Sequence, residues 1–386
     1  MNPENLLHDL FIAYYDARQS KRNTANQLDF EFNLERNLIQ LYHELLNWTY
    51  EVWRSIYFIQ NHPIKREIFA WNFRDRVVHH LIYNYIAPVF EKSFIFDSYS
   101  CRKRKGTGLG IKRLSRFIRS CSDNYTRDCY ILKLDISGYF MSINREILFK
   151  KIENFLPEKI DNYDFLIEII KKVIFNDPTK NGIFKGKRSD YLGLPKNKSL
   201  FYTKQGCGLP IWNLTSQLFS NIYLADFDRF IKHKLAIKYY GRYVDDFVIV
   251  HPDKDYLASL VPIIDWYLNE SLELTLHPKK IYLQHYSKWV LFLWAVLKPY
   301  RTYIKKQTIG YFYCKIQLLN RRLEEAGYKA NPELKMDFLS IINSYLGFLN
   351  QCKSYRIRKK ILLNNVSAYY WNYFYISSKY RIVKRK

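Results

Sequence analysis

The sequence predicts an α+β fold, and three observations carry that expectation. Apolar residues recur at helical spacing in LLHDLFIAYYDA (6–17) and LERNLIQLYHELLNW (34–48), and the chain from Lys305 onward is helix-forming and dense in Lys, Arg and Tyr. Strand-like runs fill the middle: YILKLDISGYFMSI (130–143), KYYGRYVDDFVIVHP (238–252), LELTLHPKKIYL (272–283) and KWVLFLWAVL (288–297). Finally, 386 residues with 48% hydrophobic and 18% aromatic content can build one large core or a few small ones, which excludes disorder over most of the chain.

The charge bounds the partners. Sixty-one Lys and Arg against 36 Asp and Glu leave a formal +25. Such an excess points to a polyanion, because cations on the protein replace those condensed on a phosphate backbone, and binding should then weaken steeply with salt. A basic protein kept soluble by its charge is the plainer reading. The 34 Tyr and 26 Phe suit stacking on unpaired bases as well as core packing. No uncharged apolar run approaches the roughly 18 to 20 residues of a membrane span. The start MNPENLLHDL lacks the layout of a signal peptide, so a cytoplasmic protein without a membrane partner is expected. Six cysteines without a CxxC pair argue for reduced thiols.

In chain order, two N-terminal helices flank a charged linker, QSKRNTANQ (19–27). A basic strand-like entry and a helix follow in HPIKREIFAWNFRDRVVHHLIYNYIAPVF (62–90). Adjacent His79 and His80 have no acidic partner one turn on, which disfavours a metal site. SYSCRKRKGTGLG (98–110) reads as a flexible basic loop of the kind that cradles phosphates, or as an exposed basic turn. After a helix at 111–121, the strand from 130 breaks at Ser137-Gly138 and leaves Asp135 at its C-terminal end. Residues 176–208 read as a long loop or hairpin insertion, 209–235 as a long helix, and Asp245-Asp246 as acids at a hairpin turn.

Three carboxylates in apolar surroundings repel one another. Burying them costs several kcal/mol unless cations compensate, and two divalent ions roughly 3.5–4 Å apart would do so while serving an in-line displacement. Neighbouring strand residues face opposite ways, so only one of Asp245 and Asp246 can share full chelation with Asp135. Asp135 and Asp245 are therefore the expected main ligands, with Asp246 assisting. An exposed acidic turn and an unrelated strand-end Asp form the competing reading.

YVDD (243–246) between apolar strands, preceded by LDISGYF (134–140) and LPIWNLTSQLFSNIYL (209–224), resembles a reverse transcriptase over roughly residues 60–300. INSYLGFLNQCKSYRIRKKIL (342–362) resembles the thumb of one subgroup. KREIFAWNFRDRVVHH, GLPKNKSLF and PIWNLTSQ are similar to the enzymes of diversity-generating retroelements and their antiphage defence-associated relatives. The resemblance implies a right-hand polymerase: N-terminal helices and fingers at 1–130, a palm with an antiparallel sheet at 131–176 and 236–300, a fingers insertion and motif helix at 177–235, and a helical thumb at 301–386. That assignment leaves no room for an added ribonuclease H or endonuclease domain.

The resemblance also implies roles. Asp135, Asp245 and Asp246 match the metal-holding acids, with Ile136 in the metal set and Mg2+, or Mn2+ in its place, as cofactor. Phe140 matches the ring that blocks a ribose 2′-hydroxyl, with core packing as its plainer reading. Arg102 and Lys105 match finger residues that grip the incoming triphosphate, Ser216 and Gln217 belong to the helix beside the nascent base pair, and Ile211 and Trp212 join Gln217 as implied substrate contacts. Lys279 or Lys280 resembles a general acid near the pyrophosphate, with Lys279 the favoured one. Tyr243, Trp294, Arg356 and Arg358 are the implied nucleic-acid contacts, with 288–297 as the primer-grip hairpin. Three positions depart from the usual glycine: Arg104, Trp212 and Trp294. The two indoles are expected either to narrow the template or primer channel or to pack away without consequence.

The implied function is RNA-directed DNA synthesis from dNTPs onto a 3′-hydroxyl, on a dedicated non-coding RNA in bacterial antiphage defence. Its cDNA is the product, and a second polymerase or a small accessory protein is a partner. A mutagenic enzyme of a diversity-generating retroelement is the alternative, and a catalytically idle RNA-binding subunit is the alternative of another class.

Overall fold

A computed structural model describes residues 3–19, 23–61 and 64–386. The chain divides into two units: residues 1–106, 132–249 and 255–282 form the first, and residues 107–131, 250–254 and 283–386 the second. Among the described residues no helix is long and apolar enough to cross a membrane.

The first unit begins with the helix Pro3–Arg18. Leu6, Leu10, Ala13, Tyr14 and Ala17 give it one apolar stripe, which packs on the helices Leu34–Leu46 and Phe73–Glu91. The second of these is capped by Asn72, whose side chain accepts from the Arg74 N–H. Between them, Ile56–Gln60 pairs antiparallel with Arg66–Ala70 and in parallel with Ile183–Phe184. Residues 62 and 63 of the basic entry lie outside the described residues.

A second sheet carries the acids. Tyr239–Tyr243 and Asp246–His251 are neighbours joined by two residues, a connection that only antiparallel strands allow. Tyr130–Asp135 lies next to the second of them. The long helix expected over 209–235 is shorter: it runs over Leu214–Tyr223, followed by Ala225–Arg229 and one π turn at Phe230–Lys234. Pro210 and a left-handed backbone at Trp212 (φ 73°) keep the first five residues out of the helix. The insertion expected over 176–208 holds a one-turn helix at Pro178–Asn181, the two-residue strand Ile183–Phe184 and short 3-10 turns, as its Gly, Pro and Asn content predicts.

The second unit holds the helices Thr107–Cys121, Lys306–Glu325, Pro332–Leu349 and Tyr355–Asn364. Phe312, Ile316, Leu319, Phe338, Ile342, Leu346, Tyr370 and Phe374 form its core. The run 288–297 is a hairpin rather than one strand: Val290–Phe292 turns at Leu293 (φ 57°) into Ala295–Lys298, and Arg301–Ile304 adds a third antiparallel strand. A closing hairpin of Phe374–Ile376 and Val383–Arg385 was not foreseen in a region read as helical. Asn343 secures it by exchanging two hydrogen bonds of 2.8 Å with the Val383 backbone.

Candidate active site

Backbone hydrogen bonds bring Asp135 to the hairpin turn. The Ile136 N–H donates to the Asp245 carbonyl at 3.3 Å, and the His277 N–H donates to the Asp135 carbonyl at 2.8 Å. The turn itself is Val244-Asp245, with Val244 left-handed at φ 58°, and Asp246 opens the next strand. A left-handed Val is strained, so something must hold it. Arg242 does: its Nη1 donates to the Val244 carbonyl at 2.9 Å. Arg242 is in turn clamped on Asp228 by Nε at 2.7 Å and Nη2 at 2.6 Å, and Tyr240 donates to the same carboxylate at 2.6 Å. The strand can enter here because position 241 is Gly; a Cβ there would lie 2.6 Å from the Tyr99 hydroxyl.

The acids differ in their surroundings. Burial first, and then the Asp135 charge, lift Asp245 to about 6, while Lys280 and Arg66 pull the other way. Burial lifts Asp246 to about 7 against the pull of Lys133. Lys133 Nζ is 3.3 Å from Asp246 Oδ2, and Lys280 Nζ donates to Asp135 Oδ1 at 2.8 Å. Asp246 Oδ1 is buried with no hydrogen-bond partner among the described residues. Sequence reasoning assigned all compensation to metal ions; in the structure two lysines of the chain supply part of it. Lys133 was legible, since it stands two residues before Asp135 and so on the same face of the strand. Among the described residues no three His, Cys, Asp or Glu side chains converge on one ion position in this arrangement.

The other expected residues divide. Phe140 and Ile211 meet, packing in one cluster with Phe69, Met141 and Leu200, and the Leu209 N–H donates to the Phe140 carbonyl at 2.8 Å. Trp212 is 58% exposed and, with Gln217, lines a cavity in the first unit. Its left-handed φ is the physical reason a glycine suits this position, and Arg104 is left-handed too (φ 62°). Tyr243 is half-buried beside Ser100.

Several expectations are corrected. Arg102 is not free to grip a triphosphate: Nε sits 2.9 and 3.0 Å from the two Glu91 oxygens, and Nη1 donates to the Ile95 and Ser98 carbonyls. Lys105 donates to the Phe96 carbonyl at 2.8 Å and lies over the Phe96 ring. Both brace the basic loop, because the nearest anions and carbonyls are those of their own segment. The lysine that reaches the acids is Lys280; Lys279 is exposed, and its N–H is held by His277 Nδ1. Trp294 packs on the second unit's core, edge-on to Phe348 at 5.6 Å, so its bulk is absorbed by packing. Arg358 is 6% exposed and holds Asn350 and the Lys379 and Tyr380 carbonyls, whereas Arg356 is exposed.

Two cations that sequence reasoning passed over, Arg66 and Lys198, lie near the acids. Lys198 is lowered first by burial and then by Arg66 and Lys280, and it also feels Asp135. Arg66, Lys198 and Lys280 thus face Asp135 and Asp245 within the first unit. This arrangement can receive a polyphosphate beside a set of oxygen ligands.

Comparison with known proteins gives the same class. The family profile described as reverse transcriptase (RNA-dependent DNA polymerase) matches residues 64–348. Among curated proteins, protein YkfC of Escherichia coli strain K12 is 22% identical over 303 residues, covering 70% of this chain and 73% of YkfC. Among solved structures, telomerase from Candida albicans in complex with a fragment of telomeric RNA aligns with a TM-score of 0.48 at 10% identity, over 86% of this chain and 62% of that one. Apo telomerase from Candida tropicalis, truncated of its C-terminal domain, aligns at 0.45 and 14% identity, over 65% of this chain and 55% of that one.

Proposed function

The chain belongs to the reverse transcriptase (RNA-dependent DNA polymerase) family, and we propose that it copies a dedicated RNA into DNA at Asp135, Asp245 and Asp246. The observation that carries this reading is the facing of Asp135 and Asp245 by three cations, Arg66, Lys198 and Lys280, within one unit, with Asp246 beside them on Lys133. The donor set is all oxygen, which suits a hard ion such as Mg2+ or Mn2+. The buried, unpartnered Asp246 Oδ1 fits a missing cation. Asp135 and Asp245 would be the main ligands, with Asp246 and the Ile136 carbonyl assisting. Such ions, when bound, activate a 3′-hydroxyl and neutralise a leaving pyrophosphate.

The chain's own residues do the rest. Arg66 and Lys198 bind the triphosphate of the incoming dNTP and aim it at the acids. Lys280, once it leaves Asp135, holds a proton at Nζ for the departing pyrophosphate. Phe140, braced by Ile211 and Leu200, walls the sugar site against a 2′-hydroxyl. Arg242 keeps the turn in the geometry that presents Asp245.

A dedicated non-coding RNA, in antiphage defence, is the template setting we attach to this chemistry. Its support is that bulky Trp212 and Arg104 occupy left-handed backbone, a conformation that suits glycine. The test is dNTP incorporation on an RNA template, with Asp245→Asn as control, together with sequencing of the nucleic acid that copurifies. Divalent-ion-dependent synthesis lost in the variant, and one enriched RNA species, are expected. Synthesis by the variant would overturn the site, and a random RNA population would overturn the dedicated template.

A further inference from the structure

The strand Arg66–Ala70 turns Arg66 toward the acids, and its next residue points the other way. That residue, Glu67, is 2% exposed and has no part in the site described above. Three neutral donors hold its carboxylate: the Tyr191 hydroxyl at 3.0 Å, the Ser199 hydroxyl at 2.9 Å and the Leu200 N–H at 2.7 Å. Burial raises the carboxyl, and these three bonds oppose the rise. A buried anion is an expensive way to fill space. It can, however, gather several donors at one point, which an apolar side chain cannot.

All three donors belong to the insertion, 124 to 133 positions further along the chain. Two of them, Ser199 and Leu200, directly follow Lys198, the cation that feels both Arg66 and Asp135. Ser199 and Leu200 are buried while Lys198 stays half-buried, so the chain is pinned immediately beside that side chain. The residue before it meets the catalytic strand's end: a Cβ on Gly138 would lie 3.2 Å from the Asn197 carbonyl. Lys65 adds a second tie, donating from Nζ to the Asp190 carbonyl at 2.8 Å and the Leu192 carbonyl at 2.7 Å. Between Gly186 and Gly206 the insertion is built of short 3-10 turns. Its place therefore depends on ties of this kind rather than on a ladder of its own.

We propose that Glu67 is a positioning residue: by gathering Tyr191, Ser199 and Leu200 it sets Lys198 beside Arg66, so that both cations meet one triphosphate. The inference rests on the polymerase reading, which gives Arg66 and Lys198 their ligand. It deepens that reading by naming what fixes the second cation, and it makes neighbours on one strand divide the work: Arg66 binds, and Glu67 places its partner.

The test is primer extension by the full chain with dNTP titrated. Glu67→Ala should raise KM for dNTPs roughly tenfold and move kcat by less than about threefold. Glu67→Gln should stay within about threefold of the original KM, because its amide oxygen can accept from the Leu200 N–H while its NH2 donates to the two hydroxyls. The deciding measurement is a double-mutant cycle: in a Lys198→Ala background, Glu67→Ala should add less than about twofold to KM. Should Glu67→Ala fail to fold, Ser199→Ala removes one anchor and carries the same cycle, with a rise of about threefold in place of tenfold. Amide exchange should quicken roughly tenfold over 191–202 and stay unchanged over the strand Asp246–His251. Effects that multiply in the cycle, a fall in kcat at constant KM, or unaltered exchange over 191–202 would each overturn the proposal. The polymerase reading fails differently: the unaltered chain would then incorporate no dNTP, whereas failure of this inference leaves it active.

Discussion

The single carboxylate of Asp228 and the three of Asp135, Asp245 and Asp246 serve one turn, and the chain treats them in opposite ways. Asp228 is 1% exposed and meets an Arg242 side chain that is 0% exposed, in a two-point pair completed by the Tyr240 hydroxyl. Asp135, Asp245 and Asp246 stand half-buried, share two lysines at 2.8 and 3.3 Å, and leave one carboxylate oxygen without a partner among the described residues. The first group is closed and holds the Val244 turn; the second is open and short of positive charge. Residue type does not distinguish them. The degree of compensation does, and an under-compensated cluster is what a cation-binding site must be before its ions arrive.

That contrast can be broken from either side. The largest effect is expected at the open cluster: Asp245→Asn should reduce nucleotide incorporation by about 10^3-fold or more. Its melting temperature should be unchanged or higher, because burial already makes the charge unfavourable. A fall in melting temperature without loss of synthesis would show that Asp245 belongs with the structural group. At the closed pair, Asp228→Ala leaves Arg242 buried and unpaired and should destabilise the fold by roughly 3–5 kcal/mol, read from denaturant unfolding. Synthesis should fall further than the folded fraction accounts for, since the Val244 carbonyl loses a fixed donor.

Next come the cations. Arg66→Ala or Lys198→Ala should raise KM for dNTPs roughly tenfold, whereas Arg102→Ala should leave KM near its original value and lower the melting temperature instead. A tenfold rise in KM for Arg102→Ala would restore the grip that sequence reasoning gave it. The smallest effect concerns pH. Asp75 is fully buried and raised by burial to about 6 from an ordinary value near 3.8, despite Arg74, Tyr50 and the Trp53 N–H. A raised folded value means that the native state binds this proton more tightly than the unfolded chain. Its favourable contribution is complete below the unfolded value and disappears as pH rises through about 6. Between pH 7 and pH 5 this group alone should add about 1 kcal/mol of stability, measurable by urea unfolding at the two pH values.

Much of the site was legible in the residues. Alternation placed Asp135 at a strand end, and YVDD between two apolar runs announced a hairpin whose acids face different ways. Asp245 sits under the charge of Asp135, while Asp246 rests on Lys133. The helix expected from 111 runs over Thr107–Cys121, and the Gly- and Pro-rich insertion has no regular structure beyond short turns and a two-residue strand. The misreadings concern cations. Arg102, Lys105 and Arg358 lie in basic stretches that invite a nucleic-acid role, yet each finds its acceptors inside its own unit. Arg66, Lys198 and Arg242 carry no distinguishing local pattern, because what they face comes from segments distant in the chain.

By itself the sequence determined the periodicities, and therefore the elements, together with the identity of the three acids and the excess of positive charge. These follow from neighbours within a few residues, where spacing alone decides which side chains share a face. Only the tertiary structure decided which of 61 Lys and Arg are engaged and which face the acids. It also decided that Trp294 is packing while Trp212 borders a cavity of the first unit. Charge compensation is set by distance in space, and residues such as Lys280 and Asp135, separated by 145 positions, have no such distance until the chain has folded.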